Sequence, residues 1–206
     1  MVIAIDGPAG AGKSTVARAV AERLGFTFLD TGAMYRCVAL GTLESGASPA
    51  EVAEWSEIEV GERVRLDGRD VTEAIRAPEV SARASEVSAD PRVRAALVRR
   101  QQEIMASGDW VAEGRDIGSV VAPQAEVKVF LYADPAERAK RRAVERGTDV
   151  DQVLQAQHER DARDQTEGRT VLEPARDAVP VDTTLLTVDE VVAQIATLVV
   201  EAEELR

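Results

Sequence analysis

Residues 7–14 read Gly-Pro-Ala-Gly-Ala-Gly-Lys-Ser, which is the complete G-x-x-x-x-G-K-[ST] pattern of a phosphate-binding loop. A short apolar run (Val2 to Ile5) precedes the pattern and an alanine-rich helical pattern (Thr15 to Leu24) follows it. Glycines allow backbone N–H groups to turn toward phosphate oxygens, and the start of a helix adds partial positive charge. The stretch therefore predicts a nucleotide-phosphate site, in which Lys13 reaches the β and γ phosphates and the Ser14 hydroxyl ligates Mg²⁺.

The composition is that of a folded protein with an acidic surface. The chain has 206 residues, 45% of them hydrophobic, and a net charge of −12. This charge argues against a nucleic-acid polymer or an anionic membrane as partner, so any affinity for polyanions must come from local basic clusters. Two such clusters occur, at residues 92–100 and 138–146.

Several features predict a reducing cytoplasm. Cys37 is the only cysteine and lies in an apolar helical stretch, so we interpret it as a small core residue. The chain enters a strand directly, without the pattern of a secretory leader, and no run approaches 18 consecutive apolar residues. We also expect a monomer, because no long unpaired apolar stripe is evident.

Strand and helix patterns alternate along the chain, which favours an α/β fold. Near-continuous apolar runs are typical of parallel strands buried on both faces. The predicted strands are Val2 to Ile5, Thr27 to Leu29, Trp110 to Ala112, Val127 to Tyr132 and Val179 to Val181. Prolines open two predicted helices, Pro78 to Ser88 and Pro91 to Ser107, and a last helix runs from Val188 to about Leu205.

An Asp-Gly pair interrupts this alternation within residues 63–71, where apolar and polar residues alternate around it. This combination is the strongest short sequence signal for a β-hairpin. We interpret residues 40–95 as a substrate-side insertion within one domain that spans 1–206.

The phosphate-binding loop is shared by GTPases, transport ATPases and small-molecule kinases. The chain contains no asparagine, so the Asn-Lys-x-Asp element that reads guanine is missing, as are Asp-x-x-Gly and Leu-Ser-Gly-Gly. Small kinases need only the loop, an acceptor pocket and arginines that close over the phosphates. Residues 136–142 supply Arg138, Arg141 and Arg142, and residues 159–164 supply Arg160 and Arg163 one helical turn apart. We predict a mobile lid over about 136–170, with Lys13, Arg138, Arg142, Arg160 and Arg163 acting in catalysis.

Several blocks resemble the bacterial cytidylate kinases over nearly the whole chain. They are residues 6–15, Asp-Thr-Gly-Ala-Met-Tyr-Arg at 30–36, residues 70–76, Pro-Arg-Val-Arg at 91–94, Glu-Gly-Arg-Asp-Ile-Gly at 113–118 and Asp-Thr-Thr at 182–184. The resemblance implies a P-loop kinase fold: a central parallel five-stranded sheet flanked by helices, a helical lid and a small inserted substrate-binding subdomain that contains the hairpin. It also implies phosphoryl transfer from ATP to CMP or dCMP with Mg²⁺.

The resemblance assigns site residues position by position. Arg36 and Arg115 match arginines that hold the CMP phosphate, and Ser85, Arg94 and Asp116 match positions that read cytosine. Thr31 replaces a common serine and keeps the hydroxyl. Arg160 and Asp164 match the pair near the sugar; Glu167 stands where the family commonly has arginine, so Arg169 is the nearest substitute for the acceptor phosphate. The ATP-binding residues are Gly7, Pro8, Ala9, Gly10, Ala11, Gly12, Lys13, Ser14 and Thr15.

Two alternatives remain open at this stage. A kinase for another small acceptor, such as uridylate, deoxythymidylate or shikimate, would share the loop but lack a pocket formed by Ser85, Arg94 and Asp116. A nucleotide-responsive regulator would bind ATP without turnover, although a regulator has no need for so many arginines in the lid.

Overall fold

The structure is a computed structural model that describes residues 1–155, 157–158 and 173–205, and it divides the chain into two compact units. The first unit comprises Met1–Phe28 with Gly108–Arg206, and the second comprises Leu29–Ser107. The predicted insertion, residues 40–95, lies inside the second unit.

Eight strands and seven helices have defined bounds in the described part of the chain. The strands are β1 (Val2–Asp6), β2 (Thr27–Asp30), β3 (Ile58–Val60), β4 (Val64–Leu66), β5 (Arg69–Asp70), β6 (Trp110–Glu113), β7 (Val127–Tyr132) and β8 (Val179–Asp182). The helices are α1 (Lys13–Leu24), α2 (Thr31–Ser45), α3 (Pro49–Trp55), α4 (Pro78–Val87), α5 (Pro91–Ile104), α6 (Pro135–Arg146) and α7 (Val188–Glu204). A short 3₁₀ helix (Ala74–Arg76) and a π-helical turn (Ile117–Val121) complete them.

The central sheet has five strands in the order β2-β6-β1-β7-β8, and the α/β prediction is confirmed. Strand β1 pairs in parallel with both β6 and β7, and β7 pairs in parallel with β8. All five predicted strands are present. Because the strands are parallel, the carboxyl ends of β1, β6 and β7 meet at one edge of the sheet, and the phosphate-binding loop leaves β1 at that edge.

The core of the first unit forms where α1 and α7 pack onto this sheet. Ile3 and Ile5 of β1 and Ile195 of α7 are fully buried, as predicted for apolar strands covered by helices. The helix α7 begins at a capping box, in which the Thr187 hydroxyl accepts from the amide of Glu190 and the Glu190 carboxylate accepts from the amide of Thr187.

The second unit has its own core, formed by the helices α2 to α5 together with Val64 and Leu66 of β4. Cys37 is fully buried in this core, and its burial raises the pKa of the thiol to about 12, so the prediction of an inert core residue is confirmed. The hairpin is confirmed at Asp67 and Gly68, both with positive φ (51° and 77°). Its strands β4 and β5 are joined by β3 in a three-stranded sheet, and this third strand was not predicted.

Helix α5 ends three residues before the predicted boundary at Ser107, with Met105 in the capping position. Among the described residues, no helix is long and apolar enough to span a membrane.

Candidate active site

The carbonyl groups of the phosphate-binding loop are occupied by donors that surround it. Lys13 Nζ donates to Pro8 O at 2.9 Å, and the Thr183 hydroxyl donates to Ala11 O at 3.1 Å. Arg138 Nη1 donates to Ala9 O at 3.0 Å. Loops of this kind bind anions through backbone N–H groups and the positive end of the helix that follows, here α1 beginning at Lys13. The three contacts therefore hold the backbone of the loop in place ahead of helix α1.

Two glycines of this loop lie against other backbone segments. A Cβ added at Gly7 would lie 2.0 Å from Leu131 O of strand β7, and one at Gly10 would lie 3.1 Å from Arg138 Cβ of helix α6. Both glycines also have positive φ, 147° and 80°. The sequence pattern thus contains glycine where the loop packs directly on β7 and α6.

The Ser14 hydroxyl donates a hydrogen bond to Glu113 Oε1. Glu113 is the last residue of β6, next to β1 in the sheet, and is 5% exposed. A hydroxyl and a carboxylate together are hard oxygen donors of the kind that Mg²⁺ prefers. Glu113 is not among the site residues predicted from the sequence, although an acidic residue at the end of an apolar strand was a signal for it.

Helix α6 carries predicted lid arginines with different surroundings. Arg138 is buried and packs against the phosphate-binding loop, whereas Arg142 is half-buried. Arg141 donates to the carbonyl oxygens of Thr183 and Thr184, at 2.6 and 3.1 Å. In this structure Arg141 therefore holds the segment after β8, while Arg138 holds the loop itself.

In the second unit, Arg36 is oriented by the acidic residue that caps the start of its own helix, α2. The carboxylate of Asp30 caps α2, accepting from Ala33 N at 2.8 Å, and also accepts from Arg36 Nη2 at 2.8 Å. The Nε of Arg36 is buried and has no hydrogen-bond partner in the described part of the chain. A buried donor without a partner is costly, so this guanidinium has capacity to bind an additional oxygen. Thr31, the first residue of α2, is also buried.

Ser85 and Arg94 lie on neighbouring helices of the same unit. The Ser85 hydroxyl on α4 is buried and lacks a partner among the residues described, while Arg94 on α5 is half-buried. The other arginines of the basic cluster at 92–100 are engaged within the unit. Arg92 pairs with Asp90, Arg99 pairs with Glu54, and Arg100 donates to the carbonyls of Glu54 and Ser56.

Arg115 and Asp116 belong to the first unit and follow β6 directly. Asp116 is 9% exposed and precedes the π-helical turn, whereas Arg115 is half-buried. The structure therefore divides the predicted acceptor residues between the units, with Thr31, Arg36, Ser85 and Arg94 in the second. The remaining predicted residues, Arg160, Arg163, Asp164 and Arg169, lie outside the described residues.

The family model for cytidylate kinase matches residues 3–201 of this chain. The chain belongs to the cytidylate kinase family. A cytidylate kinase from Solibacter usitatus is 48% identical over 205 residues, covering 93% of this chain and 88% of its own length. A cytidylate kinase from Carboxydothermus hydrogenoformans is 47% identical over 215 residues, covering 97% of each chain.

Among solved structures, a gluconokinase from Sinorhizobium meliloti has a similar fold. Its TM-score is 0.53 at 21% identity, over 99% of this chain and 94% of that one. At this level of identity the likeness concerns the fold alone, and it agrees with a parallel sheet flanked by helices. The predicted family is thus confirmed by its sequence relatives.

Proposed function

We propose that this protein transfers the γ-phosphate of ATP to CMP or dCMP, giving ADP and CDP or dCDP. The observation that carries the proposal is the family match over residues 3–201. The phosphate-binding loop, whose carbonyls are paired with Lys13, Arg138 and Thr183 and which leads into helix α1, supports ATP as the donor.

The donor phosphates would lie in the loop from Gly7 to Thr15, with Lys13 beside the β and γ phosphates. Ser14 would hold Mg²⁺ directly, and Glu113 would orient its hydration shell, because the Ser14 hydroxyl and the Glu113 carboxylate already face each other. Held by these residues, the ion would supply positive charge that offsets the negative charge developing on the phosphates during transfer.

The acceptor phosphate would be held by Arg36 and Arg115, whose planar guanidinium groups suit phosphate oxygens. Asp116 would accept from the exocyclic amine that distinguishes cytosine from uracil, and Arg94 would donate to the ring carbonyl. The buried Ser85 hydroxyl and Arg36 Nε support this assignment, because neither atom has a partner within the described residues.

The reaction needs no protein base. A phosphate monoester is mostly dianionic at neutral pH, so an oxygen of the CMP phosphate attacks the γ phosphorus while the bond to the β-phosphate oxygen of ATP breaks. Arg138, Arg142, Arg160 and Arg163 would neutralise charge around the transferred group, and Arg160, Asp164 and Arg169 would contact the acceptor. We further propose a cytoplasmic monomer, consistent with a single cysteine that is buried.

The decisive experiment is an ADP-release assay with ATP and Mg²⁺ against CMP, dCMP, UMP, AMP, GMP and dTMP, with shikimate as an outside control. Turnover confined to CMP and dCMP is the expected result. A preference for another acceptor would be compatible with the role of the phosphate-binding loop but would refute the assignment of the cytosine-binding residues. ATP binding without turnover would favour the nucleotide-responsive regulator.

Replacing Ser85 by alanine separates binding from stability. We expect S85A to raise the KM for CMP by about 5- to 10-fold, because the acceptor loses one hydrogen bond to the protein. The free energy of unfolding should stay equal or increase. Within the described residues the hydroxyl makes no hydrogen bond, so its removal leaves none of their polar groups without a partner. The assay is steady-state kinetics combined with urea unfolding.

Ser88 on the same turn provides the matched control, since its hydroxyl donates to Ser85 O at 2.9 Å. S88A should lower stability and leave the KM for CMP unchanged. An unaltered KM in S85A would remove Ser85 from the acceptor site.

Replacing Glu113 by glutamine tests the Mg²⁺ assignment. E113Q keeps the size of the side chain but removes its charge, so we expect the Mg²⁺ concentration for half-maximal activity to rise by about tenfold or more. A titration of activity with Mg²⁺ at saturating ATP measures this shift. Glu126, an exposed acid that accepts from Val2 N, supplies the control E126Q, whose Mg²⁺ dependence should match the wild type. An unshifted titration in E113Q would contradict the assignment.

A further inference from the structure

Asp6 is an acidic residue that the proposed reaction does not use. It is the last residue of β1, immediately before the phosphate-binding loop, and is 6% exposed. Its Oδ1 accepts from Ile117 N and its Oδ2 from Gly118 N, both at 2.8 Å. Both oxygens of one buried carboxylate are therefore bonded to consecutive backbone amides.

These bonds fix the segment that carries Arg115 and Asp116. At its beginning, Gly114 N donates to Ile5 O at 3.0 Å, one residue before Asp6 on the same strand. At its end, the amides of Ile117 and Gly118 bind Asp6. The two residues predicted to contact the acceptor thus lie on a short segment that is attached to β1 on both sides.

The carboxylate occupies an unfavourable environment. Desolvation by burial raises the pKa of Asp6 to about 6, and the charge of Asp116 adds to the increase, while the two amides and Lys13 act in the opposite direction. The neighbouring Lys128 ammonium pairs with Asp177. Because this pKa is raised in the folded protein, stability falls as the pH rises from the ordinary value of 3.8 to about 6, and the ionised side chain opposes folding at higher pH. The charge of Asp6 is therefore not explained by a contribution to stability.

We propose that Asp6 is a positioning residue whose ionised carboxylate holds residues 114–118 against β1 and thereby orients Arg115 and Asp116 toward the acceptor nucleotide. An asparagine in the same orientation places its oxygen at one backbone amide and its amino group at the other, so the second amide loses its acceptor. The inference rests on the proposed function for the identity of the acceptor, but the attachment itself does not.

The kinetic test is Asp6→Asn. We expect the KM for CMP to rise by about tenfold or more, since the segment loses one of its two bonds, while the KM for ATP changes less than about threefold. The free energy of unfolding at pH 7.5 should stay close to that of the wild type, because the removal of a buried charge offsets the loss of an acceptor for one buried amide. A structural residue would instead lose stability. D109N is the control, since Asp109 lies at the opposite end of the sheet beside the N-terminal amine.

A second test needs no substrate. In amide NMR spectra of the free protein, the Ile117 and Gly118 resonances should titrate with a midpoint near the pKa of Asp6, about 6. The titration should disappear in D6N and persist in D109N. Amides that do not titrate, or that titrate in D6N, would overturn the attachment, whereas a different acceptor in the ADP-release assay would overturn only the proposed function.

If D6N fails to fold, a substitution at Gly118 tests the same contact between Asp6 and the segment 114–118. A Cβ at Gly118 would lie 3.2 Å from Lys128 Cδ and 3.4 Å from Asp6 Oδ2, so G118A crowds the contact and requires the Lys128 side chain or the turn to shift slightly. We expect a raised KM for CMP in G118A as well. An unchanged KM for CMP in a folded D6N or G118A, or an equal increase for CMP and ATP, would refute the positioning role.

Discussion

Replacing Lys13 by alanine is expected to lower kcat by a factor of at least ~10³, because the loop loses the cation that contacts the transferred phosphate. Lys13 donates to Pro8 O at 2.9 Å, so its ammonium is held against the phosphate-binding loop. Rapid-quench or coupled kinetics at saturating ATP and CMP give the measurement. A K13A variant within about tenfold of the wild type would refute the loop assignment.

The control for this substitution is Lys140→Ala. The Lys140 side chain is 66% exposed, and its ammonium is 3.9 Å from Glu137, which is a weak surface pair. K140A should retain kcat within about twofold, since exposed pairs of this kind contribute little. Similar losses in both variants would point to general electrostatic effects rather than to a specific role of Lys13.

Replacing Gly7 by alanine is expected to destabilise the protein by roughly 3 kcal/mol or more, in the range reserved for severe steric and backbone strain. The added Cβ would lie 2.0 Å from Leu131 O, and φ at Gly7 is 147°. Leu131 cannot move aside easily because it lies in β7, which pairs with both β1 and β8. Urea unfolding followed by circular dichroism measures the change.

Gly25→Ala separates the steric contact from backbone strain. Gly25 ends α1 with φ of 70°, and a Cβ there would meet nothing within 4 Å. G25A should therefore lower the free energy of unfolding by only about 1 kcal/mol, because alanine is disfavoured at positive φ but meets no steric contact. If G7A and G25A lost equal stability, the close approach of the loop to β7 would have no energetic consequence.

The sequence was sufficient where signals are local. The five strands of the sheet, the loop at 7–14 and the turn at Asp67 and Gly68 follow from apolar runs, glycine spacing and a two-residue turn, and all are present. Strand β3 was missed because its three residues, Ile58–Val60, are too short for a periodic pattern and depend on pairing with β4. The early end of α5 similarly reflects local capping that hydrophobic periodicity does not detect.

The same distinction between local and long-range signals applies to the functional residues. The loop residues and Arg36 were selected from motifs, whereas Glu113 and Asp6 were not, since each is a single acid at a strand end. Their partners are far away in the chain: Glu113 faces Ser14, and Asp6 binds the amides of Ile117 and Gly118. Only the parallel pairing of β1 with β6 brings these groups to one edge of the sheet.

By itself, the sequence determined the fold class, the phosphate-binding loop and the family, because each depends on residues that are close in the chain or on a pattern spread over all of it. The tertiary structure decided which polar groups have partners. In the folded chain Arg141 donates to a carbonyl after β8, and the Ser85 hydroxyl has no partner in the described region. Asp6 binds the segment 114–118, which carries Arg115 and Asp116. Burial and hydrogen bonding between distant residues are properties of packing, and no local pattern encodes them.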